Sequence, residues 1–211
     1  RFAWLKSRVV ASLGSTDRSA ALALRSVILP FVFRRYLDYN VFDALRVLHR
    51  QIREHAGKRS AGRPERANDV KLSRGGIREI EFIVQSLQLI RGGQDRRLQS
   101  PHLFEVLPRL GRSRLLQLQI VEGLDGSYRY LRSLENRLQM IRDAQTHTLP
   151  ADASSQARLA RAMGESDWSS LRRTLTVHLE FVQRQFQSLV FSPVQDRDDA
   201  MVTRVPANEL G

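Results

Sequence analysis

Cysteine is absent from this chain, which excludes disulfides, thiolate metal sites and cysteine nucleophiles and is compatible with a cytoplasmic location. Proline and glycine are sparse, 7 and 12 of 211 residues, too few for a collagen-like or low-complexity sequence. Long apolar runs are missing as well. Nothing approaches the ~20 residues of a membrane span, and Arg1 to Arg8 open on an amphipathic pattern instead of a signal peptide, as expected of a cut inside a longer protein. Lysine is nearly absent, with only Lys6, Lys58 and Lys71, so arginine carries the net charge of +12. Those arginines are interleaved with Glu and Asp, without a dense basic block or a set of stacking aromatics. The charge therefore favours a solvated surface or an acidic protein partner over nucleic acid.

What is present is helical period. With 42% apolar residues the chain can bury a core, and no alternating strand pattern bounded by turns can be defended. The expected fold class is all-α, a multi-helix bundle with one long central helix. A short helix is expected from about Arg1 to Ala11, with Phe2, Leu5 and Val9 on one side. A second runs from about Asp17 to Pro30, where Leu22, Leu24, Val27, Ile28 and Leu29 lead into Phe31, Val32 and Phe33 as a core anchor and Pro30 kinks or restarts it. Val41, Leu45, Leu48 and Ile52 mark another helix, followed by a polar loop from His55 to Asn68.

Gly75 and Gly76 precede an amphipathic helix striped by Ile77, Ile80, Val84 and Leu87, broadened by Ile83 and Ile90 and ended by Gly92 and Gly93. A shorter helix follows Ser100 and Pro101. The longest pattern, Ser113 to Arg142, carries Leu124, Tyr128, Leu131, Leu134, Leu138 and Ile141 and is the expected central helix. Two more follow, Ser154 to Met163 and Asp167 to Phe191, the latter buried through Leu171, Leu175, Leu179, Val182 and Phe186 with Ser166 beside Asp167 as its cap. After Ser192 and Pro193 the sequence turns polar. The expected division is 1–15 as the end of a preceding domain, 16–191 as the helical domain and 192–211 as a linker or disordered tail.

One stretch, Asn68 to Phe82, differs in kind. Paired glycines at a helix start allow close approach of another surface and leave N–H groups pointing outward, a geometry suited to phosphate or carboxylate, with Lys71 and Arg78 as nearby cations. The plainer reading is a tight turn with Glu79 and Glu81 favouring the helix N-terminus. Arg78, Glu81 and Gln85 fall on one helical face and can form a polar rim toward a neighbouring domain. On the long helix, Arg132, Glu135, Asn136, Arg137 and Gln139 form a second polar set, in which Glu135 and Asn136 need partners if buried.

Catalytic templates fail. Gly14 and Ser15 have no strand and no Asp-x-Asp at a useful distance after them, and Asp196 and Asp198 lie in the polar tail with no strand to hold them on a metal. His49, His55, His102, His147 and His178 show no paired zinc spacing. No catalytic residue and no metal ligand is assigned.

The segment Lys71 to Phe82 resembles the Lys-Leu-Gly-x-Gly-Gly-Ile-Arg-Glu-Ile-Glu-Phe signature of glutamine synthetase adenylyltransferases, with Ser73 where that family has glycine. Ile83 to Gly93, Phe2 to Lys6, Pro30 to Asp38, Tyr130 to Gln139 and Gln145 to Pro150 match in the same order, so the resemblance reaches to about Phe191. It is nearer to the N-terminal, deadenylylating half than to the adenylylating one. The resemblance implies a bifunctional enzyme that attaches AMP from ATP to a tyrosine of glutamine synthetase and removes it by phosphorolysis, under control of glutamine and the PII signalling protein. Each half has a nucleotidyltransferase domain using magnesium-bound carboxylates, then a helical domain. By this resemblance the carboxylates lie upstream of Arg1, so the fragment is expected to be inactive alone. ATP or ADP with phosphate and Mg2+ then belong to the intact enzyme. Lys71, Gly75, Gly76, Arg78 and Glu81 are expected nearest the nucleotide, and Gln85, Glu135 and Asn136 on an interdomain polar rim. The expected partners are the upstream nucleotidyltransferase domain, glutamine synthetase and PII; an alternative is a regulatory docking module for the last two. A uridylyltransferase helical domain is disfavoured, because that family has Gly-Gly-Leu-Arg-Asp where this chain has Gly-Gly-Ile-Arg-Glu.

Overall fold

Helical period and buried stripes agree through most of the chain. The computed structural model describes residues 2–7, 17–34, 47, 50, 68–142 and 145–191. In order these form α1 (Phe2–Leu5), α2 (Asp17–Val32), α3 (Ile77–Arg91), a 3-10 turn (Arg96–Leu98), α4 (Leu103–Arg112), α5 (Leu118–Arg142), α6 (Ala153–Ala162) and α7 (Trp168–Phe191). Among the described residues there is no strand, only an isolated antiparallel bridge between Asp69 and Thr148. The class is all-α. The apolar positions Val41, Leu45, Leu48 and Ile52 of one expected helix, most of the loop that follows it, Val9, Gly14, Ser15 and the tail 192–211 lie outside the described residues.

The bundle rests on α5, α7 and α3, each packing on the other two, with α4 against α3 and α5 and α6 against α5 and α7. Instead of one dominant helix there are two of near-equal length, 25 residues in α5 and 24 in α7, each on the order of 36 Å. Their buried positions follow the expected stripes: Leu124, Leu131, Leu134 and Leu138 on α5, Leu171, Leu175, Val182 and Phe186 on α7. Ile77, Ile80, Ile83 and Val84 fill the same core from α3, and Phe82 meets the Phe186 ring at 5.7 Å. Tyr128, Ile141 and Leu179 are half-buried at its edge.

Local chemistry sets the ends. Asp152 accepts from Ser155 N–H at 2.8 Å to cap α6, and Asp167, rather than Ser166, accepts from Ser170 N–H at 2.8 Å at the start of α7. The expected run from Ser113 is interrupted: α4 ends at Arg112, Arg114 takes a left-handed φ of 54°, and Leu115 N–H returns to the Leu110 carbonyl at 2.9 Å. That turn lets α4 fold back on α5. At the end of α3 Gly92 is right-handed, and its missing side chain makes room for the Phe33 ring, whose Cδ1 would lie 2.4 Å from an added Cβ.

The apolar patch of α2 departs from expectation. The helix continues through Pro30 to Val32, because a proline in the last turn removes only one helical bond. Val32 and Phe33 enter the core, but Leu24 (52%), Val27 (70%) and Phe31 (48%) are exposed, as is Leu22. Among the described residues α2 packs on α1, and Val32 and Phe33 carry its C-terminal end into the core, so the patch anchors the core at that end.

Candidate functional site

Backbone pairing assembles the loop before α3. Val70 N–H donates to the His147 carbonyl at 2.9 Å and Leu149 N–H to that of Asn68 at 3.1 Å, fastening residues 68–70 to 147–149. Asp69 Oδ1 accepts from the N–H groups of Lys71 and Leu72, both at 2.9 Å, and turns the chain as an Asx motif. Gly75 follows with φ +74°, where a Cβ would sit 1.9 Å from the Leu179 carbonyl oxygen. Conformation and space both require glycine there. The surface this glycine lets in is the chain's own α7.

The N–H groups at the start of α3 are engaged internally. Gly75 donates to Glu79 Oε2 at 2.8 Å, Gly76 to the Ser73 carbonyl at 3.0 Å, Ile77 to Val70 at 3.3 Å and Arg78 to Lys71 at 3.1 Å. Outward-pointing N–H groups, expected from the sequence, are therefore not found here. The donors open to a ligand are side chains.

Those side chains gather around two carboxylates. Glu135 on α5 is 1% exposed; Lys71 Nζ lies 3.1 Å from its Oε1, and Arg132, one turn earlier, bonds its Oε2. His147 Nδ1 is 2.9 Å from Oε1 without the alignment of a hydrogen bond. A carboxylate buried beside Leu131, Leu134 and Leu138 needs such compensation. The second carboxylate, Glu81 on α3, holds Lys6 Nζ at 2.8 Å, with Arg78 and the Tyr128 hydroxyl at the outer limit of contact, 3.5 Å. Burial, reinforced by the negative charge of Glu81, pushes the Tyr128 phenol up to about 12. Arg132 and Glu135 act on the same phenol, which joins the two groups electrostatically.

Of the residues singled out in the sequence, Lys71, Arg78, Glu81, Arg132 and Glu135 thus belong to one polar cluster, with Gly75 and Gly76 buried beside it. The expected rim of Gln85, Glu135 and Asn136 is not one surface: Gln85 and Glu135 are buried and Asn136 is exposed. Residues 135 and 136 point about 100° apart around the helix, so one faces the core when the other faces solvent. Lys6, Tyr128 and His147 join the cluster without having been assigned to it. The spacing of Tyr128, Arg132 and Glu135, four then three, was a usable signal for one face; Lys6 and His147 come from distant segments and left none.

A second polar group lies between α5 and α7. Ser127 Oγ and His178 Nδ1 are 3.1 Å apart, and Tyr130 stacks on the imidazole at 4.4 Å. Burial lowers the His178 pKa and pushes the Tyr130 phenol up to about 12. Ser127 is closed off at 2% exposure, so this pair ties two helices and does not present a nucleophile. Among the described residues no group of three His, Cys, Asp or Glu could hold a metal ion, and no helix is long and apolar enough to cross a membrane.

Comparison with known proteins adds the following. A family model described as GlnD PII-uridylyltransferase matches residues 46–190. Curated relatives are each named bifunctional glutamine synthetase adenylyltransferase/adenylyl-removing enzyme. The protein from Burkholderia mallei is 45% identical over 190 residues, 90% of this chain and 20% of the relative. That from Thioalkalivibrio sulfidiphilus is 44% identical over 210 residues, 100% and 21%. That from Ralstonia nicotianae is 45% identical over 208 residues, 93% and 22%. The chain spans about a fifth of the length of these relatives.

Proposed function

The chain belongs to the glutamine synthetase adenylyltransferase family, with which the family-model match over residues 46–190 agrees, and from that premise we propose that it is a helical domain that closes one wall of a nucleotide cleft. The transfer chemistry is then housed in a preceding nucleotidyltransferase domain of the same polypeptide, of which residues 1–15 are the end and to which 16–191 are appended. The relatives' name supplies the reaction class, attachment and removal of an adenylyl group on glutamine synthetase.

One observation carries the reading. Among the described residues Lys6, Lys71, Arg78 and Arg132 converge on two carboxylates, Glu81 and Glu135, where α1 meets the bundle. Four cations against two anions leave positive charge in excess beside the N-terminal segment, which suits the phosphates of ATP or ADP. Magnesium fits less well: both carboxylates are engaged by cations, and no metal-holding trio exists among the described residues. No step through a metal is therefore assigned to these residues. Their part is to bind and orient a phosphate-bearing substrate, which lowers the barrier by holding reactants in line.

The test is removal of AMP from adenylylated glutamine synthetase by the intact polypeptide carrying Lys71→Ala or Arg78→Ala. Activity should fall by at least about tenfold for each, the scale of one lost charge-assisted contact; unchanged activity would end the reading. A second reading, docking of PII or glutamine synthetase, is favoured by the exposed Leu24, Val27 and Phe31 on α2. Its sign is retained activity but lost pull-down of either protein when Val27 and Phe31 are changed to serine.

A further inference from the structure

Lys71 and Arg132 reach the same buried carboxylate from different segments, one from the loop before α3 and one from α5. Their charges together exceed that of Glu135 by one. The ammonium uses one of its three donors on Glu135 and the guanidinium one of its five, and neither has another acceptor among the described residues. Their side chains are 29% and 41% exposed, so the unused donors reach solvent. Two like charges held together repel unless an anion lies between them, and Glu135 supplies one only from the inner side. Glu81 does not complete the set, since it is held by Lys6 and Arg78. The outer side thus has two cations of different shape, a point ammonium and a planar fork, with no second anion paired to them among the described residues. Phosphate, with several strong acceptor oxygens, matches that donor set.

We propose that Lys71 and Arg132 form a clamp for a phosphate group, and that Glu135 is the positioning residue that aims both. This deepens the cleft reading and rests on it for the nucleotide as source of the phosphate; a free phosphate ion carries the same chemistry. The backbone pairing of 68–70 with 147–149 fixes the Lys71 side of the clamp, and α5 fixes the Arg132 side.

The experiment is calorimetric titration of the full chain at low salt with inorganic phosphate and, separately, with ADP. Saturable binding of at least one is expected, weakened at least about tenfold by Lys71→Ala and by Arg132→Ala. Arg96→Ala, which removes the same charge in the 3-10 turn beyond the far end of α3, a helix roughly 22 Å long, should leave binding unchanged. Binding of ADP alone assigns the clamp to the nucleotide, binding of phosphate alone to the free ion. No binding of either, or equal loss with Arg96→Ala, overturns it.

Glu135→Gln tests positioning by sign. It adds net positive charge, so attraction alone tightens binding, whereas loss of aim weakens it at least about tenfold, the expected result. Glu135→Asp keeps the charge and draws the pivot back by one methylene: weaker binding at an unchanged melting temperature supports the assignment, and unchanged binding overturns it. Failure here is distinct from failure of the cleft reading, which is read from activity of Lys71→Ala and Arg78→Ala in the intact enzyme.

Discussion

Alanine at Gly75 should destabilise the chain by about 2–4 kcal/mol, and two sister substitutions divide that number into its causes. Gly164 has φ +78° with open space around its missing side chain, so Gly164→Ala measures backbone strain alone. The left-handed penalty of roughly 1–2 kcal/mol, partly offset by the reduced freedom of the unfolded chain, leaves a net cost of about 1 kcal/mol. Gly75 has the same backbone demand at φ +74°, but its Cβ would lie 1.9 Å from a carbonyl oxygen of α7, which cannot swing aside as a flexible side chain would. Overpacking of that kind adds about 1–3 kcal/mol. Gly126, helical in α5 with nothing near it, should behave oppositely, Gly126→Ala stabilising by about 0.5–1 kcal/mol. Urea unfolding followed by circular dichroism gives all three, with the order Gly126→Ala, wild type, Gly164→Ala, Gly75→Ala in falling midpoint. For a chain of this size Gly75→Ala corresponds to roughly 6–12 °C in melting temperature. A Gly75→Ala protein no less stable than Gly164→Ala would refute the close approach of the signature loop to α7.

Other outcomes follow from the same contacts. Asp152→Ala should cost about 1 kcal/mol by removing the cap of α6, read from the same urea transitions. His178 is held below its ordinary pKa by burial, so the folded chain resists its protonation; stability is full above the unfolded value of about 6.5 and declines as pH falls through it. His178→Phe should flatten the stability profile between roughly pH 7.5 and 5, and an unflattened profile counts against the buried neutral imidazole. Glu135→Leu removes the anion and leaves Lys71 and Arg132 without it; because both are partly exposed, the cost should be about 1–3 kcal/mol in the same urea transitions, below the roughly 3–5 kcal/mol of a fully buried pair. Phosphate binding in the same variant should fall as well.

Legibility in the sequence followed the range over which a signal acts. The stripes of α3, α5 and α7 were readable because periodicity is local and their apolar residues recur at three and four: Ile77, Ile80 and Val84, or Leu131, Leu134 and Leu138. Arg114 was not, since a left-handed arginine carries no compositional mark, and the run from Ser113 read as continuous helix. On α2, hydrophobicity alone said that Leu24, Val27 and Phe31 would be buried, but burial depends on what stands opposite, and that is a tertiary fact. For the candidate site, the signature glycines and Lys71 drew attention to the loop that the structure packs against Glu135 and α7. Their purpose differed, because Leu179 comes from over a hundred residues away to occupy the space at Gly75. Glu135 could be flagged as needing partners, and Arg132 one turn earlier was a local one; that Lys71 and His147 complete the set required the folding of three segments together.

The central claim, that this helical chain lends positive side chains to a nucleotide held against a neighbouring domain, is tested most directly by photoaffinity labelling. The intact polypeptide would be irradiated with an azido-adenine nucleotide and the labelled peptides mapped. Labels within residues 68–82 or along the Tyr128 to Glu135 face of α5, competed away by ADP, are the predicted result. Competable labelling confined to peptides outside this chain would contradict the account.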